Sequence, residues 1–164
     1  MMEIAFLRAF LAWESFLEES FVLYLLGKVP PRGRRPRRFA LPPNRGAAQD
    51  FVAEGREYAA WDAASVIRRA ELFFLRGRPF TDPLRANQTL LKEAQTLRNA
   101  VVHESASARE KFENLVRVKL GTLPPNSTVG HFLETTVPGS TPPSSFLEFY
   151  LDRMNLIAEQ IVPS

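Results

Sequence analysis

The chain has 164 residues, the usual size of one domain, and its 45% hydrophobic content supplies a core without covalent staples. It has no cysteine, which excludes a disulfide framework, a thiol nucleophile and a thiolate zinc site and suits a reducing cytoplasm; two histidines without HExxH-like spacing give no basis for a structural metal. The net charge of +3 is unevenly laid: Lys28, Arg32, Arg34, Arg35, Arg37, Arg38 and Arg45 meet no acid between residues 28 and 45, so the basicity is local.

From Met2 to Gly27 the residues Phe6, Phe10, Trp13, Leu17 and Tyr24 recur at helical steps, broadened by Ile4, Leu7 and Leu11, and predict an amphipathic helix. The apolar run Phe21 to Leu26 is too short to span a bilayer and follows Glu14, Glu18 and Glu19, so neither a signal peptide nor a membrane span is expected. Pro30, Pro31, Gly33, Pro36, Pro42 and Pro43 then forbid helix and predict a long basic loop over 28–45. A second helix is expected to begin between Gln49 and Arg56 and run to about Arg76, with Ala60, Ala63, Ile67, Ala70 and Phe74 on one face. Asp82 as cap and Pro83 at the first helical position mark a third, whose apolar face is Leu90, Ala94, Leu97 and Val101. Ser107 with Glu110 reads as a capping box for a fourth, with Phe112, Leu115 and Val116 inward and Gly121 as its end. Residues 121–144 predict an irregular connection with a short turn near His131 to Leu133, and Ser145 with Glu148 caps a last helix carrying Leu147, Leu151, Met154, Ile157 or Ala158, and Ile161. The expectation is one all-α domain over 1–164, an antiparallel bundle of about five helices.

Between Leu97 and Ser105 stand a guanidinium, an amide and an imidazole: Arg98, Asn99 and His103. These types suit a phosphate, because arginine grips its oxygens bidentately and histidine moves protons near neutrality. On a continuous helix Asn99 and His103 share a face, whereas Arg98 and His103 diverge by about 140°. They converge poorly in one chain unless the helix ends near His103, and two copies facing each other across a two-fold axis offer another route to one site.

This stretch resembles the HEPN domains, whose ribonuclease members carry arginine, usually a polar residue next, and histidine after a short spacing. The flanks are similar to the prokaryotic HEPN branch associated with the ribosome and L-PSP group: Trp13-Glu14-Ser15-Phe16-Leu17-Glu18, Arg69-Ala70-Glu71-Leu72-Phe73-Phe74 before Pro79-Phe80, and Lys111-Phe112. The resemblance covers most of the chain outside 28–45 and 121–144. It implies a homodimeric helical bundle that cleaves RNA without metal or cofactor, the 2′-hydroxyl attacking the adjacent phosphate. Arg98 would hold or stabilise that phosphate, Asn99 orient it, and His103 transfer a proton or stabilise the transition state. It further implies a toxin or defence effector with a protein antitoxin or regulator as partner. The tyrosine that some members carry two residues beyond the histidine is replaced by Ser105, which removes nucleotidyl modification there.

Each reading has a plainer counterpart. Arg98 can be a solvated helix residue, with His103 merely favouring a helix C-terminus. Glu14 and Glu18 can support the motif basics or form a solvated acidic face. Arg32, Arg34, Arg35, Arg37 and Arg38 suit sequence-independent binding of RNA backbone, or a solvated linker. His131 reads as a loop or packing histidine, and Trp13 and Trp61 as core or interface anchors. No Gly-x-Ser-x-Gly elbow or phosphate-binding Gly-rich loop supports other hydrolase classes. The competing functions are a non-catalytic RNA- or nucleotide-binding subunit and a purely structural helical partner in a two-protein system.

Overall fold

A computed structural model describes every residue, Met1–Ser164. The fold is all-α, with eight α-helices, one 3-10 turn at Leu75–Gly77 and no strand; two isolated bridges are its sole β-type pairs. The helices are α1 (Met2–Leu25), α2 (Arg45–Ala53), α3 (Ala63–Phe73), α4 (Thr81–Ala86), α5 (Gln88–Val102), α6 (Ala106–Leu120), α7 (Val129–Glu134) and α8 (Phe146–Ile161). No helix is long and apolar enough to cross a membrane. The chain packs as two compact units, one of residues 1–12 and 92–154, the other of 13–91 and 155–164.

In the first unit Phe6, Leu97, Phe112, Phe132, Phe146 and Tyr150 are buried. The Phe132 and Phe146 rings stack at 4.3 Å, and Phe112 meets Phe132 edge-on at 6.2 Å. The buried Tyr150 hydroxyl donates to Glu93 Oε2 at 3.0 Å, and Lys119 Nζ lies 2.8 Å from the same oxygen. Burial, with the Glu93 charge beside it, pushes the Tyr150 phenol well above its ordinary value. The second unit centres on Phe21, Phe74 and Phe80, all fully buried. There the Tyr24 hydroxyl donates to the Ile161 carbonyl at 2.8 Å, and burial pushes its pKa up to about 12.

Local chemistry explains where the helices differ from the expected five. The second expected helix is two, because Glu54 and Gly55 both adopt left-handed backbone, at φ 52° and 74°, and stop α2. Its start also lies earlier: Asn44 caps α2 by accepting from Ala47 N at 3.0 Å, so Arg45 belongs to a helix. Asp62 restarts the chain as α3 by accepting from Ser65 N at 3.0 Å, which leaves Ala60 exposed outside the helix. Asp82 is not a cap but lies inside α4, whose N-cap position is Phe80, and pairs with Arg78. Asn87 separates α4 from α5 with its side chain bonded to the Pro83 carbonyl. Ser105, not Ser107, caps α6. Gly121 ends α6 at φ 72°, and the box of Ser145 with Glu148 forms as expected. Thr128 caps α7 within the 121–144 connection.

The end of α1 ties the basic loop down. Gly27, at φ 82°, donates to the Tyr24 carbonyl while Lys28 donates to that of Leu23, a Schellman closure. The Arg38 guanidinium donates to the Leu25 carbonyl and lies against the Gly27 α-carbon, where an added Cβ would stand 2.5–2.7 Å from it. Gly27→Ala therefore meets left-handed strain and also dislodges Arg38. We expect a loss of about 2 kcal/mol, read as a fall of roughly 4–8 °C in melting temperature.

Three carboxylates have their charged form favoured by a partner in the fold. The Arg45 guanidinium beside Glu19, the Arg68 guanidinium beside Glu54 and the backbone N–H of Ser145 on Glu148 each hold the carboxyl below the ordinary 4.5. A depressed folded pKa contributes stability above the unfolded value and loses it as pH falls through the folded one. Melting temperature should accordingly fall below about pH 4.5, and Glu148→Gln should flatten part of that fall.

Candidate functional site

The polar face of α5 carries Lys92, Gln95, Thr96 and Asn99 at steps of three and four, which places them in one row. The helix stops at Val102 because Ser105 opens α6, its Oγ accepting from Ala108 N at 3.1 Å. His103 is left in the short connection, and its backbone N–H donates to the Asn99 carbonyl at 2.8 Å. That bond continues the helical pattern by one residue, so His103 stays on the Asn99 side and does not converge with Arg98.

Asn99 and His103 line one cleft of about 410 Å³ together with Lys92, Gln95, Thr96, Ser105, Ser107, Ala108 and Lys111. That lining contains no carboxylate. His103 also borders a larger groove of about 770 Å³, where Glu3, Glu104 and Arg109 supply the charges and Phe112 and Val129 the apolar surface. In this groove Glu3 Oε1 accepts from Gly130 N at 2.9 Å. The imidazole is exposed and stands at the border of two cavities of opposite electrostatic character.

Arg98 lines neither cavity. Its Nη1 donates to Asn99 Oδ1 at 3.0 Å, while its Nε is buried without a partner. Because the guanidinium occupies the amide oxygen, the Asn99 NH₂ is left as the group that can donate to a ligand. The structure thus brings Asn99 and His103 to one cleft and places Arg98 behind Asn99.

The arginines of the loop divide into two classes. Arg38 is committed to α1, and Arg45 pairs with Glu19. Arg32, Arg34, Arg35 and Arg37 are exposed and form no ion pair. Their backbone is nevertheless held: Arg32 N donates to the Pro163 carbonyl at 3.0 Å, and the Arg37 carbonyl accepts from Leu75 N at 2.8 Å.

Glu14 is half-buried on α1, and Glu18 lines a separate cavity of about 360 Å³ with Gln49, Tyr58 and Trp61. His131 is an exposed residue of α7, within a helix where a loop or packing histidine was expected. Trp13 is buried and stacks on Phe16, and Trp61 meets Phe21 edge-on with the Arg69 guanidinium 4.5 Å above its ring. Arg69 is 2% exposed, and burial lowers its pKa. No group of three or more His, Asp or Glu side chains is arranged to hold a metal ion.

Lys92 and Lys111 join the candidate site, Lys92 named by no motif and Lys111 known from the sequence only as part of the flanking Lys111-Phe112 pair. The signal for Lys92 was present in the spacing of 92, 95, 96 and 99, but it belongs to the polar face of α5. Lys111 reaches the cleft only because α6 returns beside α5. No family model, curated protein or solved structure matches the chain.

Proposed function

We propose that the protein is a metal-independent endoribonuclease of HEPN type. The observation that carries this reading is the meeting of Asn99 and His103 in a carboxylate-free cleft, with Arg98 holding the Asn99 amide oxygen. A neutral amide donor and an imidazole beside cationic side chains are the groups that transesterification of a phosphodiester requires. The 2′-oxygen forms a bond to phosphorus while the bond from phosphorus to the 5′-oxygen breaks, leaving a 2′,3′-cyclic phosphate and a 5′-hydroxyl. His103 handles the proton, the Asn99 NH₂ steadies a phosphoryl oxygen, and Arg98 keeps the amide turned that way.

The reaction removes one proton from the 2′-hydroxyl and delivers one to the leaving oxygen, and each cleft has one imidazole. A homodimer across a two-fold axis supplies a second His103 and a second Arg98, which is the reason to place the site between two copies. Unpaired Arg32, Arg34, Arg35 and Arg37 add sequence-independent attraction for the RNA backbone. The likeness to HEPN proteins adds the biological role, a prokaryotic toxin or defence effector held in check by a protein partner.

The test is incubation of wild type and His103→Ala with a mixed RNA pool in EDTA, with analysis of product ends. Cleavage by the wild type alone, leaving cyclic phosphate ends, supports the reading. Gel-shift binding without product favours an RNA-binding subunit, for which the unpaired loop arginines are the specific argument. An active monomer by light scattering at micromolar concentration overturns the shared site.

A further inference from the structure

Two unopposed cations share the wall of the Asn99 and His103 cleft. Lys92 comes from α5 and Lys111 from α6; both are exposed, and neither forms an ion pair, whereas nearby Lys119 pairs with Glu93. Like charges brought to one cleft without a counter-charge repel each other, and an anion between them relieves that repulsion. Of the remaining polar lining, Gln95, Asn99 and Ser107 can donate hydrogen bonds, whereas the Thr96 hydroxyl is committed to the Lys92 carbonyl at 3.0 Å. On the other side of His103 the larger groove carries Glu3 and Glu104 against Arg109, which disfavours an anion there.

We propose that Lys92 and Lys111 bind the phosphodiester of a single RNA strand in this cleft, and that the strand's charged backbone enters from their side of His103. The proposal rests on the RNA reading above and specifies which of the two cavities takes the phosphate. Lysine acts as a point charge on a flexible stem, so this subsite is expected to hold any phosphate regardless of the base attached. Lys92 and Lys111 are binding residues, with His103 as the group that meets the reacting atoms.

The experiment uses the full-length chain and a 2′-O-methyl RNA oligonucleotide, which lacks the attacking hydroxyl and cannot be cleaved by this route. Affinity is measured against salt for the wild type, for Lys92→Gln with Lys111→Gln, and for Lys92→Arg with Lys111→Arg, after melting curves establish that all three fold. For a single strand each lost phosphate contact lowers the slope of log affinity against log salt by about 0.7. The glutamine pair should therefore lose about 1.4 in slope and about 25-fold in affinity at 0.1 M salt, and the arginine pair should retain both. The His103 ring proton signal, with His131 as internal reference, should shift on oligonucleotide addition in the wild type and not in the glutamine pair.

Unchanged slope and affinity in the glutamine pair overturn the phosphate subsite, even if the wild type cuts RNA. Lysine-dependent binding with a His103 shift but no cleavage of ordinary RNA retains the subsite and overturns the nuclease reading. Failure of the wild type to bind the oligonucleotide overturns the subsite, and the nuclease reading falls with it when ordinary RNA is also left uncut.

Discussion

On the proposed nuclease reading, replacing His103 by alanine should lower RNA cleavage by about 10²- to 10⁴-fold, the range for loss of a positioned proton-transfer group, without changing the fold. The side chain is exposed beyond the end of α5, and its backbone bond to the Asn99 carbonyl does not depend on the imidazole. Circular dichroism and melting should thus match the wild type while product formation is lost. Asn99→Asp is the sharper companion. It preserves the acceptor that Arg98 binds and adds charge to that pair, yet removes the NH₂ donors and places a carboxylate in a cleft that has none. This variant should fold at least as well as the wild type and still lose cleavage. Arg98→Lys should retain part of the activity, between the wild type and Asn99→Asp, since an ammonium can reach Asn99 Oδ1 but lacks the planar fork of a guanidinium. Cleavage undiminished in His103→Ala would remove the imidazole from the mechanism.

The largest effect on stability is expected from Phe21→Ala. The Phe21 ring is fully buried and meets Phe80 at 4.9 Å, Phe74 at 5.1 Å, Trp61 at 6.1 Å and Phe73 at 6.2 Å. Truncating a phenylalanine in such surroundings costs about 3–5 kcal/mol, because its neighbours, themselves large rings, cannot collapse into the space. Against a total stability of about 5–15 kcal/mol this is roughly a fifth of the total or more. Thermal or urea denaturation should show it as a fall of roughly 6–20 °C in melting temperature. Phe21→Leu should lose only about 1–2 kcal/mol, since it retains most of the volume. A cost below about 1 kcal/mol in the alanine variant would mean that the aromatic cluster is not close-packed.

Helical periodicity read α1 well: Phe6, Phe10, Trp13, Leu17 and Tyr24 are all buried, and Ile4 and Leu11 at the edge of the stripe are exposed. In α6 and α8 the residues Phe112, Leu115, Val116, Met154, Ile157 and Ile161 are likewise buried. The break between α2 and α3 was harder to read. Ala63, Ile67 and Ala70 continue a plausible stripe back through Ala60, whereas the interruption depends on left-handed backbone at Glu54 as well as at Gly55. A non-glycine residue adopts that conformation only when its surroundings hold it there, so periodicity does not report it.

The same division holds for function. The local order of residues determined which groups are available, namely Arg98, Asn99 and His103 within a few positions, an acid-free run of arginines, and no thiol chemistry. It also determined an all-α architecture, because apolar spacing and capping residues act over one or two turns. Only the tertiary structure decided that Arg98 turns to Asn99, that Arg38 closes the end of α1, and that Lys92 and Lys111 face one cleft beside His103. The cleft depends on where α5 stops and α6 begins, and the Arg38 contact on where the 28–45 loop meets the end of α1; such side-chain partners are set by packing in space, which separation along the chain does not encode.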